Sequence, residues 1–160
     1  MKYVSYRIRK LRQEEIKILD DFLYEAIFIP EGTKAPPKAI IKEPELQVYV
    51  ADFGKKKDDS CYVAETSGKI AGVVWCRIMD DYGHVDNDPP SLAISVLEEF
   101  RHCGIGTALM QHMLTALKQQ GYPQVSLSVQ KANYAARMYK KLGFETVEDK
   151  EEEYIMVRRL

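Results

Sequence analysis

The sequence has few cysteines, no long apolar run and no excess of charge of either sign. Its three cysteines are an odd number and form no Cys-x-x-Cys pair, which argues against a disulfide framework or a structural zinc site. The longest apolar run, Ile70–Cys76, is much shorter than the ~20 residues of a membrane-spanning helix. The first residues carry no apolar stretch typical of a signal peptide. We therefore expect a reduced, cytoplasmic protein without a membrane partner.

The charges nearly balance, with 23 Lys and Arg against 24 Asp and Glu, so that the formal net charge is −1 at pH 7. Nucleic-acid-binding proteins usually carry a clear basic excess, and we expect no nucleic-acid partner. The chain has 160 residues, of which 46% are hydrophobic and 29% charged. This size and composition are typical of one globular domain, expected over residues 1–160.

Hydrophobic periodicity predicts elements in the order β-α-α-β-β-β-α-β-α-β-β. A helical stripe begins at Gln13 and ends at Pro30, and a second helix begins at Pro44 and reaches about Phe53. The segment Thr33–Lys42 between them is predicted to be irregular. This order favours an α/β protein with helices packed around one sheet.

The clearest motif connects a predicted buried strand, Ser91–Leu97, to a helix over about Gly104–Gln120. The connection, Arg101-His102-Cys103-Gly104-Ile105-Gly106-Thr107, places two glycines at the start of the helix. Unpaired N–H groups and the helix dipole at such a site favour a diphosphate, although an ordinary turn would use glycine in the same way. A dinucleotide fingerprint needs a third glycine where Leu109 stands, and the Gly-Lys-Ser/Thr of a P-loop is missing, so neither motif fits.

A second block, Asn133…Ala136…Tyr139…Gly143-Phe144, follows a predicted strand over Val125–Val129. Together with Ile94-Ser95-Val96 and Arg101-x-x-Gly104-x-Gly106, it resembles the GCN5-related N-acetyltransferase (GNAT) superfamily over roughly Cys61–Leu160. The resemblance implies a mixed, mostly antiparallel sheet flanked by helices and split between Ser91–Leu97 and Val125–Val129. Acetyl-CoA, as co-substrate, would lie in the split, and a primary amine of a small molecule would enter from the opposite side. In this superfamily the first sixty residues commonly shape the acceptor pocket.

The resemblance also implies roles for individual residues. Val96 would offer backbone hydrogen bonds to the pantetheine arm and an N–H to the developing oxyanion, and Asn133 would bind the arm or a nearby water. Tyr139 would be the general acid for the leaving thiolate. No metal and no covalent enzyme intermediate are implied. The pyrophosphate contacts would come from Arg101, His102, Gly104, Ile105, Gly106 and Thr107.

Several of these roles have structural alternatives. Asn133 could instead cap its helix, and Tyr139 could be a packed aromatic side chain. His102 and Cys103 stand where the family often has small and basic residues, which removes a permanent positive charge near the phosphates.

The general base is the least defined of the predicted groups. An amine with a pKa near 10 is mostly protonated at neutral pH, so a base or a water chain must take its proton. Glu98 is the first candidate, and Glu65 and His84 are others, each of which could also be a solvated surface residue. The segment Asp80–Asp88 holds four aspartates and would attract a cationic amine if it borders the acceptor cleft.

Two other functions fit the same motifs. One is a protein or peptide N-acetyltransferase acting on an N-terminus or a lysine, and the other is a non-catalytic sensor that binds acyl-CoA. An uncovered sheet edge would allow a homodimer. The sequence carries no readable code for the acceptor.

Overall fold

The computed structural model describes residues 4–78 and 89–160, and its elements follow the predicted order. The segment Asp80–Asp88, including His84, lies outside the described residues. Single turns of 3-10 helix cover Gln13–Glu15, Lys38–Lys42 and Glu98–Phe100. The α-helices are α1 (Ile18–Ala26), α2 (Pro44–Gln47), α3 (Ile105–Gln119) and α4 (Ala135–Lys141). The strands are β1 (Arg7–Lys10), β2 (Ser60–Thr66), β3 (Lys69–Arg77), β4 (Ser91–Val96), β5 (Gln124–Gln130), β6 (Glu145–Asp149) and β7 (Glu153–Arg159).

The strands of the described residues form one seven-stranded sheet in the order β1-β2-β3-β4-β5-β7-β6. All neighbours are antiparallel except β4 and β5, which run parallel and share a single paired position, Ser91 with Ser126. Beyond that pair the two strands separate. This mixed, mostly antiparallel sheet with a split between β4 and β5 confirms the predicted fold class.

Helices cover both faces of the sheet. On one face, α3 buries the predicted stripe of Ile105, Leu109, Met113 and Leu117 in a core that joins residues from both sides of the split. On the other face, α1 packs Leu19, Phe22 and Leu23 in a second core against β2 and β3. The core under α3, which contains residues from β2, β3 and β4 as well as β5 and β7, therefore holds the two parts of the sheet together.

The first two helices differ from their predicted extents. The stripe that begins at Gln13 first forms a 3-10 turn, so that α1 starts only at Ile18. Helix α2 ends at Gln47 rather than near Phe53, and the segment predicted to be irregular contains the 3-10 turn Lys38–Lys42. Hydrogen-bonded turns continue the chain to Phe53.

A buried arginine explains the early end of α2. The guanidinium of Arg77 is 2% exposed and donates to the carbonyl oxygens of Val48 (3.2 Å) and Ala51 (2.9 Å). It also binds both carboxylate oxygens of Asp59, at 3.0 and 3.1 Å, and lies over the ring of Phe53. Carbonyl groups that accept from Arg77 are drawn away from a regular helical ladder, and a buried charge needs such partners.

The two sheet edges are β1 and β6, and all five residues of β6 are exposed. Among the residues that the structure describes, no helix has the length and apolar character needed to cross a membrane.

Candidate active site

A cleft of about 1650 Å³ opens where β4 and β5 separate. Its lining comes from both faces of the sheet. On one face lie the end of α1 and the following residues 27–29, and on the other lie the first turns of α3 and α4. The cleft therefore gives two molecules access to the same gap in the sheet from opposite sides.

The backbone of β4 points into this gap. The N–H of Leu97 donates to Ala71 in β3, at 2.9 Å, which directs the backbone groups of Leu97 away from β5. Because successive backbone groups of a strand alternate in direction, the N–H and C=O groups of Ile94 and Val96 face the split. An extended ligand that contains amides could pair with them as an additional strand does.

The start of α3 forms a cradle for an anion. Gly104, at the N-terminal cap of the helix, has a φ of +83°, and His102 has a φ of +63°, so two positions of the loop are left-handed. No side chain caps the first turn, where the N–H groups of Ile105, Gly106 and Thr107 lack intrahelical acceptors. These donors and the positive end of the helix dipole fit a diphosphate.

Gly106 lies where three elements converge. A Cβ atom built on Gly106 would lie 3.9 Å from both Sδ of Met138 and Cγ2 of Val96, which is ordinary contact. The first turn of α3, the end of β4 and the middle of α4 therefore meet at this residue. The protein itself tolerates a methyl group there, so the glycine keeps the helix surface open to the cleft.

Tyr139 lies on α4 and lines the cleft, although it is only 8% exposed. Its ring contacts Phe144 edge-on, with the centroids 6.0 Å apart. Burial raises the pKa of its hydroxyl to about 12. Because this pKa lies well above neutral pH, the hydroxyl of Tyr139 is protonated there and can donate a hydrogen bond.

Comparison with known proteins identifies the family. Residues 24–144 match the model of the acetyltransferase (GNAT) family. The chain belongs to the GNAT family. It is an acetyl-CoA-dependent N-acetyltransferase, as the sequence predicts.

Two relatives and two solved structures illustrate the similarity. The N-alpha-acetyltransferase of Sulfurisphaera tokodaii is 33% identical over 127 residues, which cover 70% of this chain and 76% of that protein. An uncharacterised N-acetyltransferase of Methanocaldococcus jannaschii is 31% identical over 98% of this chain and 68% of its own length. The PaiA N-acetyltransferase of Thermoplasma acidophilum, solved in complex with coenzyme A, matches 98% of this chain and 100% of that chain, with a TM-score of 0.72 and 19% identity. The ribosomal-protein-S18-alanine N-acetyltransferase of Escherichia coli has a TM-score of 0.67 and 18% identity, covering 97% of this chain and 94% of that chain.

In this GNAT enzyme the two sequence blocks meet at the rim of the cleft. The rings of His102 and Tyr134 stack with centroids 6.2 Å apart, and the Tyr134 hydroxyl lies 3.4 Å from Nε2 of His102. Nε of Arg101 donates to the carbonyl oxygen of Val96 at 2.9 Å, and a terminal nitrogen lies 3.4 Å from Glu25. Its guanidinium therefore joins the cradle loop to β4 and α1. Its predicted contact with phosphate stays a prediction.

Asn133 caps its helix, the alternative that the sequence left open. Its side-chain oxygen accepts the N–H of Ala135 at 2.9 Å, at the first turn of α4. The residue also lines the cleft, so its amide nitrogen remains a candidate donor to the pantetheine arm.

The candidate bases differ in their positions. Glu98 is exposed on the 3-10 turn that follows β4 and lines the cleft. Glu65 lies outside the lining, and its carboxylate accepts hydrogen bonds from Arg9 and Arg7 at 3.1 and 3.2 Å. The hydrogen bond from Arg9, followed by that from Arg7, lowers the pKa of Glu65. The structure therefore removes Glu65 from the candidates.

Sequence reasoning missed part of the cleft lining on the α1 face of the sheet. The cleft is also lined there by Tyr24, Phe28 and Tyr49 from the region of α1 and α2, and by Ser95 of β4. Strand alternation in Ile94-Ser95-Val96 could have placed Ser95 on the face opposite to Val96. The tyrosines and Phe28 had no such signal, because their segments had no readable motif.

Proposed function

We propose that this GNAT enzyme transfers the acetyl group of acetyl-CoA to the α-amino group at the N-terminus of a peptide or protein. The observation that carries this proposal is the 33% identity, over 76% of its length, to a protein named N-alpha-acetyltransferase. The cleft supports it, because its lining extends from Phe28 and Ile29 to the turn Glu151–Glu153. Such a groove has room for an acceptor whose chain continues beyond the reactive amine. The small-molecule amine and the homodimer expected from the sequence remain predictions.

The residues around the split fit acetyl-CoA. The backbone of Ile94 and Val96 would hold the pantetheine arm, and the first turn of α3 would hold the diphosphate through the N–H groups of Ile105, Gly106 and Thr107. His102 and Gly104 lie in the same loop and would complete this cradle. The bound thioester supplies the carbonyl carbon for attack and a thiolate as leaving group.

The remaining steps concern the protein's own groups. The N–H of Val96 would donate to the carbonyl oxygen as negative charge develops there. The hydroxyl of Tyr139, kept protonated by burial, would give its proton to the leaving sulfur. Glu98, directly or through water, would take a proton from the ammonium group of the acceptor, and the resulting neutral amine would attack the thioester carbonyl carbon.

Thiol release from acetyl-CoA tests the acceptor class. The panel contains a peptide with a free N-terminus and no lysine, the same peptide with a blocked N-terminus and one lysine, a polyamine and an aminoglycoside. We expect release with the free N-terminus, and mass spectrometry should place the acetyl group on the α-nitrogen. Release only with the lysine peptide or the small amines would overturn the proposed acceptor. Binding of acetyl-CoA without release by any amine would indicate a sensor.

A further inference from the structure

Ser95 is a buried polar residue to which the reaction described above assigns no role. It is 5% exposed, and its Oγ atom has no hydrogen-bond partner among the residues that the structure describes. Buried hydroxyl groups are nearly always hydrogen-bonded, because an unpaired one loses its bonds to water without replacement. The position of Ser95 in the lining of the cleft indicates that the missing partner is a ligand.

The face of β4 on which Ser95 lies decides which ligand it meets. Ile94 and Val96 pack against the core under α3, whereas Ala93 and Leu97 pack against the core under α1. Because side chains alternate along a strand, Ser95 points to the α1 face. This is the face opposite to the anion cradle of α3, and hence the face from which the acceptor would enter.

The surroundings of Ser95 on this face are mostly apolar. Ala93, Phe28, Ile29 and Leu46 line the same side of the cleft, and the exceptions are Tyr24 and Tyr49. The Tyr24 hydroxyl donates to the carbonyl oxygen of Pro36 at 2.5 Å. Glu25 also lies there, but its carboxylate is paired with Arg101 at 3.4 Å. Since no described residue donates to Oγ of Ser95, its lone pairs are available to an N–H of a ligand, one residue away from the Val96 N–H that faces the split.

We propose that Oγ of Ser95 accepts a hydrogen bond from the acceptor amine and orients it for attack. A neutral primary amine has two N–H donors and one lone pair, and the attack uses the lone pair. An oxygen that holds one N–H on the acceptor face would direct the lone pair towards the split. This role rests on the proposed amine acetylation but not on the class of amine.

The test compares Ser95→Ala with the wild type, using the best acceptor of the panel. We expect the KM for the acceptor to rise about three- to tenfold, the effect of one lost hydrogen bond, while kcat and the Kd of acetyl-CoA change little. The thermal midpoint should not fall, because the variant removes an unpaired buried hydroxyl. Ser95→Thr, which keeps the hydroxyl, should have a KM for the acceptor close to that of the wild type. Ser126→Ala is the matched control, since Ser126 is equally buried but lies outside the cleft and is 3.5 Å from the oxygen of Pro90.

An unchanged acceptor KM in Ser95→Ala would overturn the proposal. A fall in kcat at constant KM would also overturn it, because a hydrogen bond to the bound amine must contribute to the KM of the acceptor. If no panel amine releases thiol, the proposed function fails. The Kd of the peptides for the CoA-loaded protein, measured by calorimetry, then replaces the KM of the acceptor as the test of Ser95. Equal binding by wild type and Ser95→Ala, or no binding, would then reject the role of Ser95 separately.

Discussion

Nε of Arg101 donates to the carbonyl oxygen of Val96 at 2.9 Å, while the same guanidinium contacts Glu25 at 3.4 Å. The side chain thus holds the cradle loop against the strand whose backbone faces the split. Its contribution to binding would come from positioning as much as from charge.

We therefore predict that Arg101→Ala raises the Kd of acetyl-CoA about tenfold, by loosening the loop and by removing a charge near the phosphates. Glu25→Gln removes only the exposed ion pair, which contributes little, and should change that Kd by less than about twofold. Titration calorimetry with acetyl-CoA measures both. An equal loss of acetyl-CoA affinity in the two variants would show that the contact with Glu25, rather than the hydrogen bond to Val96, matters for binding.

Tyr139→Phe should lower kcat about 100-fold or more, if the hydroxyl is the general acid, with little change in the affinity for acetyl-CoA. Burial raises the pKa of Tyr139 to about 12, so the hydroxyl is protonated at every pH below about 10. Accordingly, the wild-type kcat should show no alkaline decline attributable to this group up to pH ~10. Stopped-flow thiol release across pH provides the measurement. An unaffected kcat in the variant would leave Tyr139 as a packing residue.

Gly106→Ala should fold normally, since its Cβ would meet Met138 and Val96 at an ordinary 3.9 Å. The methyl group would nevertheless occupy the surface that the diphosphate approaches, and we expect at least about a tenfold weaker binding of acetyl-CoA. The larger Gly106→Val should abolish binding. Circular dichroism and titration calorimetry separate folding from affinity, and unchanged affinity in both variants would reject the cradle.

Asp59→Ala should destabilise the fold by about 3–5 kcal/mol, because it leaves the charge of Arg77 buried without its carboxylate. Both side chains are almost fully buried, at 0% and 2% exposure. Lys55→Ala is the control, as its contact with Asp52 is exposed on both sides. Chemical denaturation measures both free energies. A similar small loss of unfolding free energy in both variants would mean that the carbonyl groups of Val48 and Ala51 alone compensate the buried charge of Arg77.

The loss of folding stability at low pH should depend on Glu15. Its hydrogen bond with Arg9 lowers its pKa from 4.5 to about 2, so this contribution to stability is complete above the unfolded pKa and is lost as the pH falls towards 2. The variant Glu15→Gln should therefore lose stability at pH 7 and show a flatter profile between pH 5 and 2. Exposed Glu14 on the same turn provides the control substitution. Parallel profiles of stability against pH for wild type and Glu15→Gln would contradict the lowered pKa of Glu15.

The fold was largely accessible from local patterns. The α3 stripe, the alternation of Val125–Val129 and the glycines after α3 and α4, Gly121 and Gly143, mark elements that the structure confirms. The end of α2 was not accessible, because Arg77 bonds to Val48 and Ala51 from 26 or more positions away in the sequence. Such long-range contacts override a local helical tendency, and the local sequence gives no sign of them.

The candidate site divides in the same way. The cradle lies in one strand–helix connection, which the sequence alone marks by its two glycines. The role of Tyr139 follows from the resemblance to the family and stays a prediction. The binding of Glu65 by Arg9, by contrast, depends on the pairing of β1 with β2, and Ser95 is marked by the lack of a partner in the folded chain. Properties of that kind arise only once the strands are assembled.

The single paired position between β4 and β5 divides the backbone ladder of the enzyme into two halves, joined mainly by the core under α3. A pantetheine arm paired with Val96 would supply hydrogen bonds along this seam and act as a detachable strand. The co-substrate would then be a temporary part of the architecture as well as a reactant. Each turnover would complete the sheet on binding and interrupt it again on product release.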